Sequence, residues 1–308
     1  MRKILLIKHS SLGDIISSTS VIYDIRKHFI NHKIFILTTS RYKDFFEDSN
    51  FVDEILIDNR KSIFSILFII TKILNLNFEI IIDLQNSQRT SLYSFFIRLL
   101  SSTMINGTGK FVNCRYKNFS KNIPPVIDGL SNQVEILGVK TTRKPHLNWL
   151  DNNSFNLDSL NNKKFVIINP GCSKKNEQKK WSPENYARIC TYFVSKNILP
   201  IVIGSDLDKK AIEIINKNEK NILNLLNNSP LDVIFQLSKK ALGAISNDTG
   251  PGHLIAAGGC MLHLILSNSS NVKTVIPQGS NISFTQKDNI NDISVEEIII
   301  KIKVLFNI

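Results

Sequence analysis

Three loops in this sequence carry residue types and spacings that can do chemistry. The first, His9-Ser10-Ser11-Leu12-Gly13-Asp14, leaves an apolar segment and enters a helical one. Ser10 and Ser11 bring hydroxyls, and Gly13 lets the backbone turn tightly. Asp14 puts a carboxylate at the helix start, where it can cap the helix, act as a general base, or do both. The second loop, residues 170–181 (PGCSKKNEQKKW), holds Lys174, Lys175, Lys179 and Lys180. Lysines on a loop between a strand and a capped helix supply mobile point charges suited to a diphosphate. A solvated surface turn is the plainer reading. The adjacent Pro170-Gly171 turn and Trp181 weigh against it, because they give the loop a defined position.

The third loop, Ser246-Asn247-Asp248-Thr249-Gly250-Pro251-Gly252-His253, is the most informative. It runs from a strand into a helix rich in small residues. Gly250 and Gly252 permit close backbone approach, and a helix start offers N–H groups and a positive dipole end to an anion. Thr249 adds a hydroxyl. Asp248 or Thr249 alone would suffice as a cap, so two glycines beside them favour a phosphate cradle. His253, in the first helical turn, can touch a ligand or simply pack.

Other patterns carry less. Gly107-Thr108-Gly109-Lys110 lacks the upstream glycine of a P-loop, and no GxGxxG is present. Asp206-Leu207-Asp208 spells a DxD, yet it can equally cap the helix that follows. Cys114, Cys172, Cys190 and Cys260 lie far apart, without zinc or CxxC spacing, so no metal, no disulfide framework and a reduced compartment are expected.

The elements that must hold these loops alternate. Apolar strand patterns at 3–8, 33–39, 52–58 and 78–84 interleave with helical ones at 14–30, 42–48, 61–76 and 88–100. Residues 102–160 read as irregular. The alternation resumes with strands at 164–169, 198–204, 222–226, 241–246 and 261–266 and helices between them. Ser294 and Glu297 form a capping-box pattern before an amphipathic segment that ends the chain. Continuous apolar strands, each followed by a helix, imply parallel sheets covered on both faces. Two such halves, 1–155 and 156–308, are expected to face each other across a cleft, with chemistry in loops beyond the strand carboxyl ends. The terminal helix can pack back across the sheet or toward the first half.

The chain has 308 residues, 43% of them hydrophobic, enough for two cores. Its +12 net charge favours anionic partners, although a compositional bias toward Lys explains it as well. No basic run interleaved with aromatics appears, which disfavours nucleic acid. The first apolar stretch is too short for a signal peptide. The longest, residues 62–74, is broken by Lys72 and falls short of the roughly 20 residues of a bilayer span. It reads as a buried or interfacial helix of a cytoplasmic protein, one able to touch an anionic membrane surface.

The ordered set of three loops resembles the ADP-heptose:lipopolysaccharide heptosyltransferases, glycosyltransferase family 9. The matching residues are Ser10 to Asp14, Pro170-Gly171 with Lys179 to Pro183, and Ser246 to His253. The resemblance implies a GT-B fold of two Rossmann-like, doubly wound α/β domains, the acceptor bound mainly in the first and the donor in the second. It implies inverting transfer of a sugar, heptose from ADP-heptose, to a lipopolysaccharide-core-type, lipid-linked or phosphorylated glycan. It casts Asp14 as the general base and Lys179, or its neighbour Lys180, as the lysine that neutralises the donor phosphates. Ser173 would lie near those phosphates, Asp248 would bind the transferred sugar, and Thr249, Gly250 and their neighbours the diphosphate. No cofactor is implied beyond the nucleotide sugar as co-substrate. Ser267 to Asn271 depart from the family's usual loop after the last strand, which leaves donor sugar and base open. A sugar-nucleotide epimerase or hydrolase of the same architecture, or a binding protein without transfer activity, is the alternative.

Overall fold

The computed structural model describes residues 1–59, 63–117, 124–151, 160, 163–172, 177–277, 279 and 281–308. It divides into two units, Met1–Trp149 and Leu150–Ile308. The expected division after residue 155 falls among residues outside the described set.

The first unit runs β1 (Arg2–Ile7), α1 (Leu12–His28), β2 (His32–Thr38), α2 (Lys43–Glu47), β3 (Glu54–Ile57), α3 (Ile63–Leu76), β4 (Ile80–Asp83), α4 (Gln88–Leu100), β5 (Met104–Gly107), β6 (Cys114–Arg115) and α5 (Val126–Glu135). Its strands form a parallel sheet ordered β3-β2-β1-β4-β5-β6. Ile4 to Ile7, Ile34 to Leu37 and Ile80 to Ile82 are buried runs, as strands covered on both faces require. Ile66, Ile69, Ile70 and Ile73 of α3 join Tyr93 and Ile97 of α4 in a core cluster against Leu5, Leu37 and Ile81.

Two sequence expectations change here. Helix α1 begins at Leu12, so Ser11 is its N-cap and Asp14 stands three positions later. The stretch read as irregular from residue 102 contains β5, β6 and α5. Strands of four and two residues are too short to show a period, and Pro124-Pro125 mask a helix whose Ile127, Leu130 and Val134 face the core.

The second unit runs β7 (Phe165–Asn169), α6 (Pro183–Ser195), β8 (Leu199–Gly204), α7 (Lys209–Asn218), β9 (Leu223–Leu226), α8 (Leu231–Lys240), β10 (Gly243–Asn247), α9 (Gly250–Ala257), β11 (Leu262–Ser267), α10 (Val272–Val275), β12 (Ile282–Lys287) and α11 (Val295–Phe306). The order of its parallel sheet is β12-β11-β10-β7-β8-β9. Strand β12 escapes a hydrophobicity reading because it is a half-exposed edge in which only Thr285 is buried.

Helix α11 buries Val295, Ile298, Ile302 and Phe306 among Trp181, Tyr186 and Phe193 of its own unit. Its apolar stripe is therefore covered within the second unit. The Phe306 ring lies where a Cβ on residue 243 would stand, 2.3 Å from its nearest atom, which is why Gly243 opens β10. Only half of the expected capping box forms. Ser294 accepts from the Glu297 N–H at 3.2 Å, while the Glu297 carboxylate pairs with Lys287 at 2.9 Å.

His263 sits wholly buried in β11, its ring nitrogens 2.7 Å from Ser283 Oγ and 3.0 Å from Thr285 Oγ1 on β12. Burial pushes the imidazole from its ordinary 6.5 down to about 4. The folded state thus binds the proton more weakly than the unfolded chain. The stabilisation is present above about pH 6.5 and is lost as pH falls toward 4. That difference in proton affinity corresponds to roughly 3 kcal/mol. Urea unfolding followed at pH 7, 5 and 4 is expected to show this loss in the second unit, and a His263→Gln variant to flatten it. An equally steep decline in that variant would assign the acid sensitivity elsewhere.

Candidate active site

In both sheets the strand order reverses between neighbouring strands, β1 with β4 and β7 with β10. The connections leaving such a pair depart in opposite directions, so a crevice opens at the carboxyl ends. The polar loops predicted from sequence begin at these ends.

In the first unit, Lys8 follows β1 and is buried, with its Nζ donating to the Leu84 carbonyl at 3.1 Å. Asp83 ends β4, also buried, and its Oδ1 accepts from the backbone N–H groups of Gln85 and Asn86. Burial lowers the Lys8 ammonium's pKa, offset by the negative charges of Asp14 and Asp83. Burial likewise raises that of Asp83. Gln85 Oε1 accepts from the N–H groups of His9 at 2.8 Å and Ser10 at 3.2 Å. A residue after β4 thereby fixes the loop after β1. Asp14 Oδ2 accepts from the Ser11 N–H at 2.9 Å and the Ser11 hydroxyl at 3.1 Å. The carboxylate therefore serves as the return arm of a capping box through one oxygen. Gly13 is buried in the first turn and Ser10 half-buried in the loop.

The loop is held from a third side. His9 lies buried with Nε2 3.8 Å from the Asp58 carboxylate. Arg89 grips Asp58 with two N–H groups, at 2.8 and 2.9 Å, and the Tyr93 hydroxyl donates to it at 2.5 Å. Burial and the neighbouring carboxylate push the Tyr93 hydroxyl well above its usual value, so it stays a donor.

In the second unit, Asn169 ends β7 and donates through Nδ2 to Ser246 Oγ on β10 at 2.8 Å, bridging the reversal. Asn247 is buried and ties three segments together. Its Oδ1 accepts from the Tyr186 hydroxyl at 2.9 Å and the Trp181 N–H at 3.5 Å, and its Nδ2 donates to the Pro170 carbonyl at 2.8 Å. These bonds anchor both ends of the lysine loop. Ser173 to Asn176 lie outside the described residues, so the placement expected for Ser173 does too.

Lys179 Nζ stands 2.6 Å from Asp248 Oδ2, with both side chains mostly buried. Ser270 Oγ donates to the same oxygen at 2.8 Å. Lys180 is half-buried beside it. Asp248 is thus no cap, and Thr249, the backbone N-cap of α9, makes no side-chain cap bond. Pro251 has no N–H, and the Gly252 N–H bonds Thr249 O at 3.0 Å. Among the described residues, none accepts from the Gly250 N–H. The helix start therefore offers a narrower cradle than four free donors would. A Cβ at Gly252 would lie 3.3 Å from Ser246 Oγ, so packing also favours a small residue there. His253 is half-buried in the first turn.

The DxD resolves as a cap: Asp208 Oδ2 accepts from the Ser205 N–H and hydroxyl, both at 3.0 Å. Among the described residues, no three His, Cys, Asp or Glu side chains gather as metal ligands. Gln85, Asn169, Asn247 and Ser270 were given no role by sequence reasoning, although Asn247 lies in the quoted third loop and Ser270 in the unusual Ser267–Asn271 loop.

A family model described as glycosyltransferase family 9 (heptosyltransferase) matches residues 67–262, more than half of the chain. No curated protein sequence matches it. Among solved structures, a family 9 glycosyl transferase from Veillonella parvula superposes with a TM-score of 0.82 at 17% identity, covering 99% of this chain and 97% of that one. The Escherichia coli ADP-heptose lps heptosyltransferase II gives 0.77 at 15% identity, covering 99% and 98%. A UDP-GlcNAc 2-epimerase from Methanocaldococcus jannaschii follows at 0.61 and 15% identity, covering 99% and 93%.

Removing the Asn247 amide leaves the Tyr186 hydroxyl and the Pro170 carbonyl buried without their partner. Asn247→Ala is expected to lower the unfolding free energy of the full chain by about 2–4 kcal/mol in urea titration. A loss within about 0.5 kcal/mol, typical of surface substitutions, would show that the three segments are held by other contacts.

Proposed function

The chain belongs to glycosyltransferase family 9, and on that premise we propose that it transfers a heptose from ADP-heptose, with inversion, to a lipid-linked, lipopolysaccharide-core-type glycan. The enzyme class follows from the family, whereas donor, acceptor and residue roles are this reading's own. The observation that carries it is the Lys179–Asp248–Ser270 cluster beside the start of α9. An ammonium has three N–H donors, and the contact with Asp248 uses one. The proposed role of the others is to meet donor phosphate oxygens.

Transfer breaks the bond between the anomeric carbon and the β-phosphate oxygen, and charge builds on the leaving diphosphate. Lys179 and the N-terminus of α9 are assigned to stabilise it, in surroundings where fixed charges act more strongly than in water. Asp248, oriented by Lys179 and Ser270, is assigned to the hydroxyls of the transferred sugar. The acceptor oxygen attacks as Asp14 takes its proton, a step worth roughly 10²–10⁴ in rate. Oδ2 of Asp14 is held by Ser11, which leaves Oδ1 for the proton. The proposed site of action is the cytoplasmic face of the inner membrane. No cofactor beyond the nucleotide sugar is proposed.

Because Asp14 also caps α1, Asp14→Ala mixes lost chemistry with roughly 1 kcal/mol of lost capping. Asp14→Asn keeps an oxygen acceptor for Ser11 and removes only basicity. It is expected to slow transfer at least about 100-fold while ADP titration stays near wild type. Full turnover in that variant would remove Asp14 from the chemistry. Lys179→Ala is expected to weaken ADP binding about tenfold or more and to slow turnover. If both stay unchanged, the phosphate role moves to Lys180. ADP release that is equally fast without acceptor would favour the epimerase or hydrolase alternative.

A further inference from the structure

Helix α3 is apolar on both faces. Its inner face buries Ile66, Ile69, Ile70 and Ile73, yet Phe64 and Phe68 on its outer face are 80% and 69% exposed, with Leu67 between them. A helix apolar all round is ordinarily covered. Helix α4 packs beside α3 over the same core and shows a second outward stripe, Leu92, Phe95 and Leu99, at helical spacing. The Phe95 ring also meets exposed Phe111 at 5.0 Å, which carries the apolar surface beyond α4. Single exposed hydrophobic residues are ordinary, but two adjacent stripes make a patch of the kind that marks an interaction surface.

The charge around this patch has one sign. Helices α3 and α4 contain no Asp or Glu, and residues 63–117 hold six Lys and Arg, of which Arg89 is engaged by Asp58, against two acids, Glu79 and Asp83. Asp83 is buried at the end of β4, and Glu79 lies just before the start of that strand, 3.5 Å from Arg2. Neither belongs to the outer faces of α3 or α4. Lys72 lies one helical turn beyond Phe68, Arg98 lies between Phe95 and Leu99 in helical position, and Lys110 adjoins Phe111, all three exposed.

We propose that the α3–α4 face is the surface by which this protein lies on an anionic lipid bilayer. Its Phe and Leu side chains would enter the interface, and Lys72, Arg98 and Lys110 would meet lipid phosphates. A second copy of the chain fits the same surface less well. Twofold pairing sets a patch against itself, so a surface with cations and no acids would meet another of the same sign. No helix among the described residues is long and apolar enough to cross a membrane, so surface attachment is the mode this face provides. From the proposed function the inference takes only the purpose of docking, access to a lipid-linked acceptor, and the binding is tested apart from any sugar chemistry.

The full chain is sedimented with vesicles of phosphatidylcholine alone and of phosphatidylcholine with phosphatidylglycerol, at low and high salt. Binding is expected only with the anionic vesicles and weakens with salt. Phe64→Ser with Phe68→Ser is expected to reduce it at least about tenfold, the partition loss of a buried aromatic. Lys72→Glu with Lys110→Glu is expected to reduce it and to flatten the salt dependence. Both variants should keep the wild-type melting temperature and transfer to a water-soluble acceptor, because these side chains are solvent-exposed and outside the candidate site. Absence of wild-type binding to anionic vesicles, or binding that neither pair alters, overturns the proposal. So does a dimer that the Phe pair splits in a protein that never binds vesicles.

Discussion

The reversal of strand order is the constraint on which the rest of the chemistry hangs. Where β7 and β10, or β1 and β4, lie side by side, the chain leaves each pair in opposite directions. Backbone groups beyond the last ladder rung then have no neighbouring strand to bond. Buried polar groups must still be satisfied, and side chains at the strand ends do it. Asn247 supplies both a donor and an acceptor to loops that no sheet can reach. Gln85 does the same service for the loop after β1 through its single carbonyl oxygen. The crevice is therefore not an empty gap between strands. In each unit it is a place where amide side chains have replaced the ladder, beside Asp14 in the first unit and beside Lys179 and Asp248 in the second.

Three aspartates illustrate how similar sequence contexts diverge. Asp14 and Asp208 each stand three residues after a serine and each close a capping box on it, through both the serine N–H and its hydroxyl. Asp248 stands two residues before α9, yet its carboxylate meets an ammonium and a hydroxyl from two other segments. Capping therefore does not separate Asp14 from Asp208, and their surroundings must. Asp14 has the buried ammonium of Lys8 as its electrostatic neighbour, and its sheet reverses at that point. Asp208 follows β8, which lies one strand away from the reversal in its own sheet.

Local physics made the strand-to-helix loops legible in the sequence. Buried parallel strands are continuous apolar runs, and the helix from Gly250 to Ala257 was bounded by its glycines and its small-residue interior. What stayed hidden was either too short, too exposed or too distant in the chain. Strand β6 has two residues, and β12 is an edge with a polar outer face. Ser270 reaches Asp248 across 22 residues and Gln85 reaches His9 across 76, separations at which no local period or cap rule operates. Gly252 shows a different limit: a Cβ there would lie 3.3 Å from Ser246 Oγ, and a sequence cannot distinguish a packing need from a ligand's.

The basic character of the chain also divides once coordinates are in hand. Lys179 is a mostly buried cation with a carboxylate partner at 2.6 Å, so salt screens it little. Lys72, Arg98 and Lys110 around α3 and α4 are exposed, and beyond about 8 Å in physiological salt their fields are largely screened. A single net charge of +12 thus stands for two different physical devices. One is short-ranged, oriented by hydrogen bonds and suited to discriminating a leaving diphosphate. The other is diffuse, additive over several side chains and suited to holding a surface near an anionic one. Only the first needs the amide scaffold at the strand reversal. The second needs only that α3 and α4 be stiff enough to keep Phe64, Phe68 and Phe95 outward, which their isoleucine-rich inner faces and Tyr93 ensure.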